Sequence, residues 1–286
     1  MITLFPLTLF LSVVLYAMVV GNVILFMFDI VPFWVCIAVL VSLAIFLMGV
    51  NKLSWTLYLR SLDRCDNDPD GFIQQQEKLA MKADKKYNLK TLINLNMIVG
   101  ILMHERFDEV HKRLPGIGKS IMPNDHMSKF QYISILLSVE MKKKNFNSVD
   151  YYISEMRSIL SQMNLNTPGY NANVKEKYNY IINGYMQRAE FFSRSPEMLS
   201  GKDRYIAENM VKYVDGMMSF SSGIKVFKNY YRLANMYDKA VAYTILGEKE
   251  KADELFNEVT ASSYLYPFID RARRYKENGD VNVLMG

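Results

Sequence analysis

The first fifty residues lack lysine, arginine, glutamate and histidine, and their single charged side chain is Asp29. Globular domains scatter charge, so this absence excludes an ordinary soluble start. The chain of 286 residues has only 2 cysteines, Cys36 and Cys65, which excludes a disulfide framework and a paired C-x-x-C metal site. Only 3 histidines leave few candidates for a histidine general base. No Ser/His/Asp or Cys/His constellation is supported, and neither an enzyme nor a cofactor is expected. The net charge of +5 is mild and dispersed, without the dense basic stripe of a nucleic-acid binder.

What is present begins with two apolar runs, 2–28 and 33–50, separated by Asp29-Ile30-Val31-Pro32. Each has the roughly 20 residues that an α-helix needs to cross about 30 Å of hydrocarbon. Asp29 favours water and Pro32 lacks an N–H, so the intervening segment reads as a turn. A cleaved signal peptide requires a basic start and a short apolar core, and the first run has neither. All basic residues lie from Lys52 onward, with Lys52, Arg60 and Arg64 close behind the second run. Positive flanks stay inside, so the expectation is a two-span hairpin in a cell membrane with both termini cytoplasmic. Trp55 and Tyr58 suit the bilayer interface, and 51–64 extends the second helix outward. Cys36 reads as a small hydrophobe within the span; Cys65, just past it, stands where acylation is chemically open. The Lys- and Asn-rich composition and compact hairpin suit a bacterial cytoplasmic membrane.

From Asp68 the apolar spacing is helical, at i, i+3, i+4 and i+7. Asp68-Pro69 opens a helix expected to run to about Tyr87. Breaks are predicted at Pro115–Pro123, Thr167-Pro168-Gly169, Ser193–Gly201 and Ser219–Gly223. In 236–259 the first helix presents Ala240 and Tyr243, and Gly247 makes the turn. Ala252 sits at the closest helix approach, with Phe256 and Val259 behind it. This stretch resembles a tetratricopeptide-repeat helix pair, with Lys249 where that family has a bulky residue and without its closing proline. Two further stretches fit the same template. In 96–114 the packing places fall to Phe107, Val110 and Leu114, and in 136–156 to Phe146, Val149, Ile153 and Met156. A fourth pair, 172–192 and 201–217, has helical spacing without the signature. The resemblance implies an all-α fold: a transmembrane hairpin followed by an α-solenoid like that of the tetratricopeptide repeats. The expected organisation is a hairpin over 1–50, a juxtamembrane helix and linker over 51–67, repeats over 68–278 and a tail over 279–286.

Asp66-Asn67-Asp68-Pro69-Asp70-Gly71, followed by Glu77, matches the spacing of an EF-hand calcium loop. Carboxylates of Asp66, Asp68, Asp70 and Glu77 would supply its oxygens. Pro69 restricts the loop, and Asp68-Pro69 is equally a helix start facing the dipole. Gly116–Ser120 ends like a Walker A loop, but the first glycine is replaced by Arg113 and the preceding segment is helical, so it reads as a helix-ending linker. His104, Asp108 and His111 would align metal-ligand types on one helix, but the expected turn at His104–Glu105 separates them. Asn173, Lys177, Tyr180, Arg188, Asn229 and Arg232 form the candidate partner-binding set, since helical solenoids bind protein or peptide partners on a concave face.

The leading functional expectation is a membrane-anchored, non-enzymatic scaffold or adaptor whose partners are the lipid bilayer and a protein or peptide. One alternative is an accessory subunit of a membrane transport or secretion assembly, its spans packing through Ala17/Gly21 and Ala38/Ser42. The other is a single EF-hand-like, calcium-responsive membrane protein.

Overall fold

A computed structural model describes residues 19–20, 32–83, 87–163, 172–220 and 226–285. About 86% of it is helix and no strand occurs among the described residues, which establishes an all-α protein. Apart from residues 19 and 20, the expected span 2–28 lies outside the described residues. So do Asp29, the pair Ala17/Gly21 and the break at Thr167-Pro168-Gly169. The chain divides into two compact units, Met1–Leu62 and Asp63–Gly286.

In the first unit, helix α1 spans Phe33–Leu62. At 1.5 Å per residue its 30 residues reach about 45 Å, beyond the ~30 Å of bilayer hydrocarbon. An 18-residue window has mean hydropathy 2.0 with none of it buried in the protein. Among the described residues this is the one helix long and apolar enough to cross a membrane. Trp34 is 70% and Met48 63% exposed, contacts that water disfavours by about 25 cal/mol per Å². The helix continues past Lys52 as the sequence suggested but ends at Leu62, because Asp63–Asp66 tightens into a 3₁₀ turn. That turn belongs to the second unit, which therefore starts earlier than residue 68.

The second unit contains α2 (Pro69–Lys82), α3 (Tyr87–Met103), α4 (Phe107–Ser120), α5 (His126–Lys142), α6 (Val149–Gln162) and α7 (Ala172–Ser193). The short α8 (Ser195–Leu199), α9 (Arg204–Phe220), α10 (Lys228–Leu246), α11 (Lys249–Thr260) and α12 (Pro267–Asn278) follow. Asp68 caps α2, its carboxylate accepting the Gly71 N–H at 2.8 Å with Pro69 in the first turn. Helix α2 stops at Lys82, short of Tyr87, where its buried stripe of Phe72, Ile73, Gln76, Leu79 and Ala80 ends. The predicted break at Pro115 is absent: α4 runs through Pro115 and Gly116 to Ser120. Leu114 and Ile117 are both buried, and their packing outweighs the roughly 3 kcal/mol that an interior proline costs.

Three helix junctions share one turn. Glu105, Lys144 and Gly247 all have left-handed φ, at 57°, 58° and 77°. In each, the residue's N–H bonds the carbonyl three back and the following N–H bonds the carbonyl five back, all at 2.9–3.3 Å. This is the paired Schellman closure, which satisfies orphan carbonyls and offsets the ~1–2 kcal/mol cost of left-handed backbone in Glu105 and Lys144. The next residues also agree: Arg106 (−83°, 65°), Asn145 (−89°, 77°) and Glu248 (−84°, 64°). Counting four, eight and eleven residues on from each gives Val110, Leu114, Ile117; then Val149, Ile153, Met156; then Ala252, Phe256, Val259. All nine are buried.

Successive helices pack on one another, and α3 also meets α5 and α7 meets α9. The α7–α9 crossing uses reciprocal glycines: Tyr213 lies against Gly184, Tyr180 against Gly216, and the two rings stack at 5.4 Å. A Cβ at Gly184 would stand 1.9 Å from the Tyr213 hydroxyl. The two ends of the domain also meet. The 3₁₀ turn Asp63–Asp66 packs on α10, and Phe72 of α2 contacts Phe227 edge-on at 6.0 Å. The expected tail is likewise folded in: Val281–Met285 forms a 3₁₀ turn, Leu284 is buried, and its carbonyl accepts the Tyr237 hydroxyl at 2.7 Å.

Candidate functional site

Polar side chains gather where the domain closes on itself. Asp66, 2% exposed, accepts from the Asn229 amide at 2.7 Å and from the Tyr266 hydroxyl. Burial and the Asp66 carboxylate push the Tyr266 phenol far above its ordinary range, so it acts as a donor. The backbone adds Leu265 N–H to Asp66 carbonyl at 3.0 Å. His104 bridges the same two segments, with Nδ1 3.0 Å from the Leu265 carbonyl and Nε2 2.7 Å from that of Cys65. One residue on, Glu105 takes both Arg271 guanidinium nitrogens at 2.9 and 3.0 Å and Lys142 at 2.7 Å. The left-handed turn at Glu105 belongs to the α3–α4 junction, and its carboxylate joins α5 and α12 to that junction.

A second cluster ties α7 to α10. The Arg188 guanidinium donates to Asp238 at 2.8 Å and to Asn235 at 2.6 Å, and lies over the Tyr213 ring. Burial opposes the Arg188 charge, but the neighbouring Asp238 carboxylate outweighs it and raises its proton affinity. Burial also pushes the Tyr213 phenol up to about 12, against the opposing effect of Arg188.

Beyond these ties, α4, α5 and α6 frame a half-open cleft of about 310 Å³. Its lining includes Lys129, Tyr132, Glu155, Ser158, Ile159 and Gln162, a mixture of both charges, hydroxyls, an amide and apolar surface.

The sequence-derived candidates separate. Of the calcium-loop carboxylates, Asp66 turns to Tyr266, Asp68 caps α2 and pairs with Arg64, Asp70 pairs with Arg106, and Glu77 pairs with Arg113. The segment Pro69–Gly71, which a calcium loop would curl around the ion, is helix. No group of three or more His, Cys, Asp or Glu side chains able to hold a metal occurs among the described residues. His104 points into the closure and His111 contacts Lys143, so they do not converge. Of the partner-binding set, Tyr180, Arg188 and Asn229 serve internal bonds, Tyr180 donating to the Tyr213 carbonyl at 3.2 Å. Asn173 and Lys177 are exposed on α7, and exposed Arg232 pairs with Glu258.

Sequence reasoning passed over Glu105, Arg271, Asp238 and Tyr266. One signal was legible: Asp238 interrupts the apolar stripe of Leu233, Met236, Val241 and Ala242 on α10, where a carboxylate needs a partner. The other contacts join residues 160 or more apart and leave no local spacing.

No family model matches this chain, and no curated protein and no solved structure matches it.

Proposed function

We propose that this chain is a membrane-anchored, non-enzymatic interaction module: a two-span hairpin holds a helical domain resembling tetratricopeptide repeats at the cytoplasmic face, where it recruits a protein or peptide partner. The observation that carries this reading is the turn shared at Glu105, Lys144 and Gly247, with three buried side chains at the same offsets beyond each. Helix pairs repeated in this way are a scaffold for binding surfaces, since each is stabilised by its neighbours. The conserved geometry of the junctions supports the repeat assignment where the spacing of 39 residues between Phe107 and Phe146 departs from the usual 34. The cleft at Tyr132 and Glu155 is the surface assigned to the partner, because its mixed lining suits a peptide's polar backbone and varied side chains. Tethering raises the effective concentration of whatever it binds.

A photocrosslinker at Tyr132 in full-length protein in its native membrane should capture one reproducible partner, lost on Glu155→Lys. Capture insensitive to that substitution counts against the assignment. Protease added outside intact cells should leave the helical domain whole, and its digestion would reverse the topology. A second reading, an accessory subunit of a membrane assembly, draws on the exposure of the small residues Ala38 and Ser42 on α1. Replacing residues 1–50 with an unrelated anchor abolishes function under this reading and preserves it under the first.

A further inference from the structure

We infer that His104 is a proton-operated clasp: the geometry calls for a doubly protonated imidazole, and release of one proton opens one of two ties between the ends of the helical domain. Both ring nitrogens face backbone carbonyl oxygens, Nδ1 that of Leu265 at 3.0 Å and Nε2 that of Cys65 at 2.7 Å. A carbonyl oxygen can only accept, and a neutral imidazole carries one N–H. Two bonds therefore need two protons. In either neutral tautomer one nitrogen lone pair confronts a carbonyl lone pair at hydrogen-bond distance, and that contact turns repulsive.

The surroundings favour the cation. On the 3₁₀ turn, Asp66 is a buried carboxylate whose partners Tyr266 and Asn229 are uncharged. Cys65 beside it is a buried thiol pushed up to about 12 by burial and by Asp66, so it contributes no charge. Asp63 and Arg64 of that turn are exposed, and Arg64 pairs with Asp68. The Tyr266 ring lies 5.2 Å from the imidazole, and Tyr230 of α10 lies 5.0 Å from Tyr266; burial raises both phenols, so both stay neutral. Arg271 of α12 is matched by Glu105, and on the α3–α4 turn Arg106 is matched by Asp70 and Glu109. Asp66 is thus the charge left unmatched, and an imidazolium two elements away balances it. His104 is half-buried, so its ring can exchange protons with water.

The sign follows from the stoichiometry. The folded chain binds a proton that the clasp requires, so the His104 contribution is complete at low pH and falls as pH rises through the imidazole range of about 5–8. The Leu265 N–H bond to Asp66 lies on the same segment and loosens with it.

The test uses the full-length chain in detergent with ¹⁵N-histidine. Resonances of His104 are assigned by their loss in His104→Asn. At pH 6 two slowly exchanging ring N–H protons are expected for His104, and one at pH 8.5. The excess in Tm of wild type over His104→Asn should shrink by about 3 °C or more between those values. A single protected N–H at pH 6, or a Tm excess indifferent to pH, overturns the clasp. If His104→Asn does not fold, His104 is assigned through His111→Asn and His126→Asn, and the titration of the native protein decides alone.

Discussion

Tyr266 donates its hydroxyl to the carboxylate of Asp66, a residue 200 positions earlier in the chain. The bond joins the entry of the helical domain to the segment preceding its last α-helix, at a site where Asp66 is nearly inaccessible to water. Tyr266→Phe leaves the buried carboxylate with the Asn229 amide and a missing donor. The expected loss is about 2 kcal/mol, read as a Tm about 4–8 °C lower in detergent-solubilised protein. Asp66→Asn should suppress most of the effect of Tyr266→Phe in a double-mutant cycle; additive losses would show that the two residues are not coupled.

Glu105 sets the acid limit of the domain. Burial opposes its ionisation, but the hydrogen bonds from Arg271 and the charge of Lys142 outweigh it and hold the carboxyl at about 2, against an ordinary 4.5. Because the folded value is the lower, its contribution is fully present above about pH 4.5 and is lost as pH falls towards 2. The interval corresponds to about 3 kcal/mol. Glu105→Gln should lower Tm at neutral pH and flatten its decline between pH 4.5 and 2, measured by scanning fluorimetry.

Arg188 and Asp238 should behave as one unit. Arg188→Met strands a largely buried carboxylate and is expected to cost about 3–5 kcal/mol in urea unfolding. The double substitution Arg188→Met/Asp238→Asn removes both charges and should recover at least half of that loss.

Cys65 should be inert while the domain is folded. With the thiol buried and pushed up to about 12, a Cys36→Ser background should react with a thiol reagent at pH 8 only after denaturation. Prompt labelling of native protein would contradict the burial. The same burial closes the route to acylation of the folded chain that the juxtamembrane position of Cys65 had left open.

Calcium should find no site at the acidic segment. Calorimetry of the full-length protein with millimolar calcium is expected to give only heat of dilution, since Asp66, Asp68, Asp70 and Glu77 are each engaged elsewhere and Pro69–Gly71 is helical.

Much of the framework was legible in local spacing. The periodicity from Asp68 onward predicts helices, and the structure contains them. The turn predicted at His104–Glu105 and the turn at Gly247 both occur, because a helix end depends on a few adjacent residues. Pro115 misled because its local cost is real, while the burial of Leu114 and Ile117 that offsets it depends on helices far along the chain. Tyr180, Arg188 and Asn229 misled in the opposite way. Their composition suits an exposed binding face, but Gly216, Asp238 and Asp66 receive them inside the domain.

By itself the sequence determined the helical class, the long apolar character of α1 and the turns between neighbouring helices, since each follows from residues within one or two turns of each other. Only the tertiary structure decided that the domain closes through Asp66, His104, Glu105 and their distant partners, and which polar residues are ties rather than surface. Hydrogen bonds and ion pairs between segments 160 to 200 residues apart have no period to betray them. Their strength comes from burial, which exists only once the helices have packed.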